Sequence, residues 1–174
     1  MDKKRIFIGT LLILLLSSLY HFIYDWFPNM YTSFLFPINE SIWEHNKMIL
    51  LAFLTWTLLE SIFLKDSKNP LFKNLVACII CIILVLSVFT PVFFFILDSQ
   101  DNILVTLVIY VISIMTSLWL SEFIKLKSSK PLELLSIGGF VTLIVTFAIL
   151  TYYHPDNLLF KEFVTTSYSK IYYY

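Results

Sequence analysis

The chain has 174 residues, of which 59% are hydrophobic and 14% charged, with a mean hydropathy of +0.83 and no net charge. Soluble domains carry about 25% charged and ~45–50% apolar residues, so this composition excludes a soluble globule and predicts an integral membrane protein in contact with the lipid bilayer. Because the longest basic run is Lys3-Lys4-Arg5, a nucleic-acid-binding function is excluded as well.

Five apolar runs are each long enough to cross the ~30 Å hydrocarbon layer of a bilayer. The predicted spans cover about residues 6–27, 42–64, 75–97, 103–124 and 135–152. Residues 153–174 contain four charged side chains and are predicted to be an interfacial tail. The sequence therefore predicts an all-α fold, a polytopic integral membrane bundle of five transmembrane helices. Residues 1–174 would form a single transmembrane domain.

Local signals predict how the spans begin and bend. The segment 28–40 is predicted to be a loop because it holds two prolines and two asparagines. The second span begins at Ser41-x-x-Glu44, a capping box in which hydroxyl and carboxylate each accept a backbone N–H. Pro91 predicts a kink in the third span, and residues 98–101 a tight acidic loop after it.

The distribution of basic residues predicts the orientation. Nine of the twelve Lys and Arg residues lie at the start of the chain or around the turns after the second and fourth spans. They are Lys3, Lys4, Arg5, Lys65, Lys68, Lys73, Lys125, Lys127 and Lys130. Five spans place these segments on one side, which the positive-inside rule makes cytoplasmic. We predict a multi-pass protein of the cell membrane with its N-terminus cytoplasmic, and its C-terminus and three histidines extracytoplasmic.

The end of the first span carries Ser17, His21 and Asp25 at intervals of four residues. On one continuous helix these side chains share a face. A histidine one turn from a carboxylate is typical of a fixed tautomer or of a pair of metal ligands. The structural alternative is an interfacial histidine that bonds Asp25 for stability alone.

Three histidines and nearby acids are the ligand inventory of a zinc site. On this hypothesis His21, His45 and His154 bind a divalent metal such as zinc, and Asp25 or Glu44 moves protons or supplies a fourth ligand. No HExxH motif is present, so the hypothesis rests on inventory rather than spacing. For Glu44 the capping box is a sufficient structural explanation.

Other polar residues within the spans have structural explanations. Cys78 and Cys81 lie in an apolar run, where thiols behave as small hydrophobes. Glu60 and Glu122 lie about one turn from the inner ends of their spans. They either extend to the surface or pair inside the bundle as a proton relay.

The segment Phe36-Pro-Ile-Asn-Glu-Ser-Ile-Trp-Glu-His45, preceded by His21-Phe-Ile-Tyr-Asp-Trp26, resembles a family of small bacterial polytopic membrane proteins with an Asn-Glu-Ser-x-Trp-Glu-His motif. His154-Pro155 also fits that pattern. The resemblance covers nearly the whole chain and implies a domain of unknown function. Ser17-x-x-x-His21 with an acid and further histidines is similar to the site of alkaline ceramidase-type hydrolases, although their paired-histidine motif and seven spans are absent.

Two functions are consistent with these patterns. The first is a metal-dependent hydrolase that acts on a lipid or similar amphiphile at the outer leaflet. The second is a non-enzymatic membrane protein, namely a small transporter, an immunity factor or a subunit of a membrane assembly.

Overall fold

The described part of the chain is mainly α-helical. The computed structural model describes residues 3–64, 69–92, 96 and 102–161. The helices in these residues are α1 (Lys3–His21), α2 (Ile23–Trp26), α3 (Met30–Leu35), α4 (Ile42–Phe63), α5 (Pro70–Pro91), α6 (Ile103–Ser121) and α7 (Lys130–Tyr152), followed by a 3-10 turn at Leu158–Phe160. Five segments are long and apolar enough to cross a membrane: α1 with α2, and α4, α5, α6 and α7. The prediction of an all-α membrane bundle with five spans is confirmed.

Four of the spanning helices form a ring. Each of α1, α4, α5 and α6 packs against two neighbours, in the order α1, α4, α5, α6 and back to α1. Helix α7 packs outside the ring against α4 and α5. Accordingly, 56% of the apolar stretch of α4 is buried inside the protein, whereas only 22% of that of α7 is. Phe53 and Trp56 of α4, which are 0% and 2% exposed, are among the largest side chains in the core.

Polar contacts define the two ends of the bundle. At the end where α1 and α7 begin, Arg5 contacts residues from the end of α4, the start of α5 and the end of α6. We call this the basic end. At the opposite end α1 stops, α4 starts and α7 stops, which brings His21 close to His45 and Glu44 to Thr151. We call this the histidine end.

Two helices begin earlier than predicted. Helix α5 begins at Pro70 rather than near residue 75, and α7 begins at Lys130 rather than near residue 135. Proline is well tolerated in a first turn because its missing N–H would have no helical partner there. Pro91 is the last residue of α5. The kink predicted there stays a prediction, because residues 93–95 lie outside the described residues. The predicted acidic loop at residues 98–101 and the tail beyond residue 161 lie outside the described residues.

The segment 28–40, predicted to be a loop, contains the short helix α3. Its start is a capping box: Thr32 N donates to Asn29 Oδ1 (3.1 Å) and Asn29 N donates to Thr32 Oγ1 (3.1 Å). The hydroxyls of Ser33 and Tyr152 lie 2.5 Å apart and tie α3 to α7. The Asn29-x-x-Thr32 spacing in the sequence is the signal that would have predicted the start of α3.

The first span is interrupted at Phe22, the residue between α1 and α2. Ser17 is only 4% exposed, whereas Asp25 is an exposed residue of α2. The predicted continuous face of Ser17, His21 and Asp25 is therefore wrong, because it required an unbroken helix.

Candidate metal centre

Glu40 and His45, the first two residues of the candidate site, lie on either side of the start of α4. Ser41 is the N-cap, and its Oγ accepts a hydrogen bond from Glu44 N (3.2 Å). In a capped helix, the residue before the N-cap lies against the fourth helical residue, as in the hydrophobic staple. Here those residues are Glu40 and His45, so the local fold places a carboxylate against an imidazole.

The end of α1 supplies the third residue. His21 Nε2 lies 3.4 Å from Glu40 Oε2, and His45 Nε2 lies 3.3 Å from the same oxygen. The two imidazole rings meet edge to face with centroids 5.1 Å apart. One donor atom from each residue lies within 4.8 Å of the others. We call His21, Glu40 and His45 the histidine triad.

The backbone fixes the tautomer of His45. Its Nδ1 lies 2.9 Å from the carbonyl oxygen of Ser41, and a carbonyl can only accept, so Nδ1 carries the proton and donates. In the neutral imidazole Nε2 is then an acceptor, yet it faces an oxygen of the Glu40 carboxylate at 3.3 Å. Two facing acceptors repel unless a proton or a metal cation lies between them.

The electrostatics of the histidine triad favour the ionised carboxylate. A hydrogen bond from His21 lowers the pKa of Glu40 below its ordinary value, although burial acts in the opposite direction. When His45 is protonated, its charge lowers the pKa of Glu40 further. The Glu40 side chain is 47% exposed and that of His45 only 10%. The Glu40 carboxylate is thus open to water, whereas the His45 imidazole is packed among the helices.

The structure brings together two of the three predicted metal ligands. His21 and His45 belong to the histidine triad, whereas His154 is outside that group of ligand atoms. His154 is exposed, and its ring stacks on Phe160 with centroids 5.2 Å apart. Asp25 is exposed on α2 and also lies outside the group. The metal-binding and catalytic roles of these residues remain predictions.

Glu44, the other predicted proton-transfer residue, takes part in a buried ion pair. Its Oε2 lies 2.7 Å from Lys47 Nζ and accepts from Ile38 N (3.1 Å), and its Oε1 accepts from Thr151 Oγ1 (2.9 Å). The reciprocal half of the predicted capping box is therefore wrong, because Ser41 N donates to the side chain of Asn39 instead.

Lys47 connects this ion pair to α3. Its side chain is 1% exposed, and Nζ donates to the carbonyl oxygens of Ser33 (2.9 Å) and Phe36 (3.4 Å). A fully buried ammonium group requires such partners. Glu44 and Lys47 thus hold α3, α4 and α7 together at the histidine end.

A second buried network lies at the basic end. Arg5 Nε lies 2.7 Å from Glu60 Oε1, and Nη1 lies 2.8 Å from Glu122 Oε1. Nη2 donates to Asn74 Oδ1 (2.6 Å), whose Nδ2 donates to Glu60 Oε2 (2.7 Å). Ser121 accepts from Nη1 as well. We call these five residues the arginine network. Arg5 is thus an interior residue rather than a surface charge, and Glu60 pairs inside the bundle.

The two cysteines lie in the core between the clusters. Cys78 and Cys81 are free thiols with no exposed surface, as predicted for small hydrophobes in an apolar helix. They belong to neither polar cluster. The CxxC spacing therefore has a packing explanation.

Sequence reasoning missed Glu40 as a member of the histidine triad and Arg5 as the centre of the arginine network. Glu40 could have been found, because it occupies the position before an N-cap and His45 the fourth helical position. Arg5 has no comparable local signal, since its partners Glu60, Asn74 and Glu122 are 55, 69 and 117 residues away.

Comparison with known proteins gives one result. The model of a family of unknown function (DUF6512) matches residues 1–170. No curated protein and no solved structure matches the chain.

Proposed function

The chain belongs to the family of unknown function DUF6512, and we propose that it binds a divalent cation of the zinc class through His21, Glu40 and His45. The observation that carries the proposal is the convergence of two imidazole Nε2 atoms on one carboxylate oxygen, at 3.4 and 3.3 Å. A cation at this position would relieve the repulsion between the facing lone pairs of His45 Nε2 and Glu40 Oε2.

The donor set matches zinc in type and number. Two imidazole nitrogens and one carboxylate oxygen form a ligand set of catalytic zinc, in which a fourth position stays open for water. Zinc-bound histidines generally donate their other ring N–H to a carbonyl or carboxylate. The bond from His45 Nδ1 to the Ser41 carbonyl supplies such a partner.

The surroundings of the histidine triad support hydrolysis of an amphiphile at the extracytoplasmic leaflet. The segment between α1 and α4 exposes large apolar side chains, which suit the boundary between lipid and water. They are Phe22 (48% exposed), Trp26 (56%), Phe27 (63%), Met30 (66%) and Tyr31 (80%). A bound metal would lower the pKa of its water toward ~7 and so supply the hydroxide. The charge pattern of the loops supports the extracytoplasmic side.

One observation favours the non-enzymatic alternative, a small transporter, immunity factor or assembly subunit that binds the cation without chemistry. Neither predicted proton-transfer residue belongs to the histidine triad: Asp25 is exposed, and Glu44 is paired with Lys47. A hydrolase needs a group that moves protons at the metal-bound water. If the protein is a hydrolase, Glu40 itself or an atom of the substrate moves the protons.

Metal binding is tested by isothermal titration of zinc into the chelator-treated, purified protein, with metal analysis afterwards. We expect one zinc per chain. His45→Ala and Glu40→Gln should each weaken binding at least tenfold, since each removes a ligand. His154→Ala is the matched control, because it removes an exposed histidine outside the triad. Absence of stoichiometric zinc, or equal weakening by His154→Ala, would exclude the site.

Catalysis is tested separately in proteoliposomes that contain fluorescent ester and amide amphiphiles. The hydrolase predicts zinc-dependent turnover that Glu40→Gln abolishes and His154→Ala leaves unchanged. Stoichiometric zinc with no turnover of any probe would favour the non-enzymatic alternative. A reporter fused after Tyr174 tests the orientation, and cytoplasmic activity of that reporter would place the triad at the inner face instead.

A further inference from the structure

A recess of about 390 Å³ lies between α1 and α6 near the basic end. This volume falls in the ~300–1,000 Å³ range of ligand sites. Its walls are Ile6 and Phe7 of α1 and Met115, Thr116 and Trp119 of α6, with Lys3 at the rim. The recess is on the opposite end of the bundle from the histidine triad and is independent of the proposed metal.

Three of the wall residues, Phe7, Met115 and Trp119, are exposed on the outer surface of the bundle, whereas Ile6 belongs to the core. Phe7 is 72% exposed, Met115 48% and Trp119 41%. In a spanning bundle, surface of this kind is covered by lipid chains or by another protein. The volume of the recess is large enough for part of an acyl chain that lies along α1 and α6.

The rim of the recess carries an available positive charge. Lys3 is exposed, and it forms no ion pair with any residue in the described part of the chain. Arg5, two residues further on, is buried and is neutralised by Glu60 and Glu122. A ligand in the recess would therefore meet the ammonium of Lys3 rather than the guanidinium of Arg5.

We propose that this recess binds one anionic phospholipid, with an acyl chain along Phe7 and Trp119 and its phosphate headgroup at Lys3. Basic pockets between transmembrane helices are suited to anionic headgroups, and each basic residue near the surface contributes about 1 kcal/mol. A zwitterionic lipid would fill the same walls but gain less from Lys3.

The first experiment is native mass spectrometry of the full chain, released from detergent in the presence of phosphatidylglycerol or phosphatidylcholine. We expect one phosphatidylglycerol to be retained in preference to phosphatidylcholine. Lys3→Gln should weaken its binding about fivefold, the equivalent of ~1 kcal/mol. The matched control is Lys127→Gln, which removes an exposed lysine of the same end outside the recess.

The second experiment fills the recess. Thr116→Phe places a ring between α1 and α6 and should abolish retention, whereas Val145→Phe adds the same bulk to an exposed position of α7. Phosphatidylglycerol with brominated chains should quench the fluorescence of Trp119, measured as the difference between the wild type and Trp119→Phe. Brominated phosphatidylcholine should quench it less.

Three results would overturn the proposal. They are equal retention of the two lipids, equal weakening by Lys3→Gln and Lys127→Gln, and a dimer that Thr116→Phe dissociates. The last would identify the recess as an interface between copies of the chain. None of these results depends on whether zinc binds at the histidine end.

Discussion

Replacing Arg5 with Met tests how strongly the arginine network stabilises the bundle. The Arg5 and Glu60 side chains are 2% and 0% exposed, and their charged atoms are 2.7 Å apart. Loss of the guanidinium removes the counter-charge of Glu60 in a site that water does not reach. Asn74 Nδ2 continues to donate to that carboxylate, but an amide carries no compensating charge.

The magnitude follows from the burial. Removal of one partner from a buried ion pair costs about 3–5 kcal/mol, because the remaining charge stays desolvated. Glu122 adds less to the loss, since Lys73 Nζ remains 3.5 Å from its carboxylate. We therefore expect Arg5→Met to lower the free energy of unfolding by ~3–5 kcal/mol, a large share of the ~5–15 kcal/mol typical of proteins.

The assay is reversible unfolding in bicelles, followed by steric trapping or by titration with a denaturing detergent. Lys4→Met is the matched control, since it removes the same charge from an exposed neighbour of Arg5. Its effect should stay within ~0.5 kcal/mol. The double variant Arg5→Met with Glu60→Gln should recover part of the loss, because it removes the isolated charge. Equal stability of the Arg5→Met and Lys4→Met variants would refute the role assigned to the network.

Three further predictions concern other sites. In metal-free protein, the pKa of Glu40 is lowered, so the ionised carboxylate stabilises the fold fully above pH 4.5 and loses this effect as the pH falls through the lowered pKa. The thermal unfolding temperature of Glu40→Gln should therefore depend less on pH in that range than that of the wild type. Lys47→Met leaves the buried Glu44 without its cation and should cost about 3–5 kcal/mol in bicelle unfolding. Gly139→Ala should be less stable than Gly138→Ala by ~1–3 kcal/mol in the same assay, because only the Cβ at position 139 meets a side chain within 4 Å.

Each of these predictions has an outcome that contradicts it. Identical acid profiles for the wild type and Glu40→Gln would show that Glu40 is not stabilised in its ionised form. A Lys47→Met variant as stable as Lys127→Met, which alters an exposed lysine, would show that the buried pair contributes little. Equal stability of the two glycine variants would mean that Leu75, whose Cδ2 lies 2.5 Å from the added Cβ at Gly139, moves aside at little cost.

Hydropathy was sufficient to predict the five spans, but it could not show which faces of the helices pack together. On α1, Ile13 is fully buried whereas Leu11 and Leu15 are 50% and 59% exposed. Lipid chains and a protein core are similarly apolar, so the two environments select the same residue types. The order of the ring and the outer position of α7 therefore depend on shape rather than on any pattern visible in the sequence.

The candidate site was partly predictable for a related reason. The pairing of Glu40 with His45 follows from a local rule about capped helix starts. The approach of His21 depends on the packing of α1 against α4, which hydropathy does not encode. The number of histidines in the sequence also suggested His154 as a ligand, but its ring stacks on Phe160 after the end of α7. A local rule about helix starts could therefore have identified neighbours within a few residues, whereas tertiary packing selected the rest.

The arginine network has a consequence for how the protein is made. Arg5 lies in α1, which is synthesised before the helices that carry its partners, 55, 69 and 117 residues later. Until α6 has been synthesised and inserted, the guanidinium must remain in the headgroup layer or inside the insertion machinery. The start of α1 should therefore pack against the ends of α4, α5 and α6 only after α6 has been inserted. A nascent chain arrested before residue 122 should leave the start of α1 open to labelling from the aqueous side.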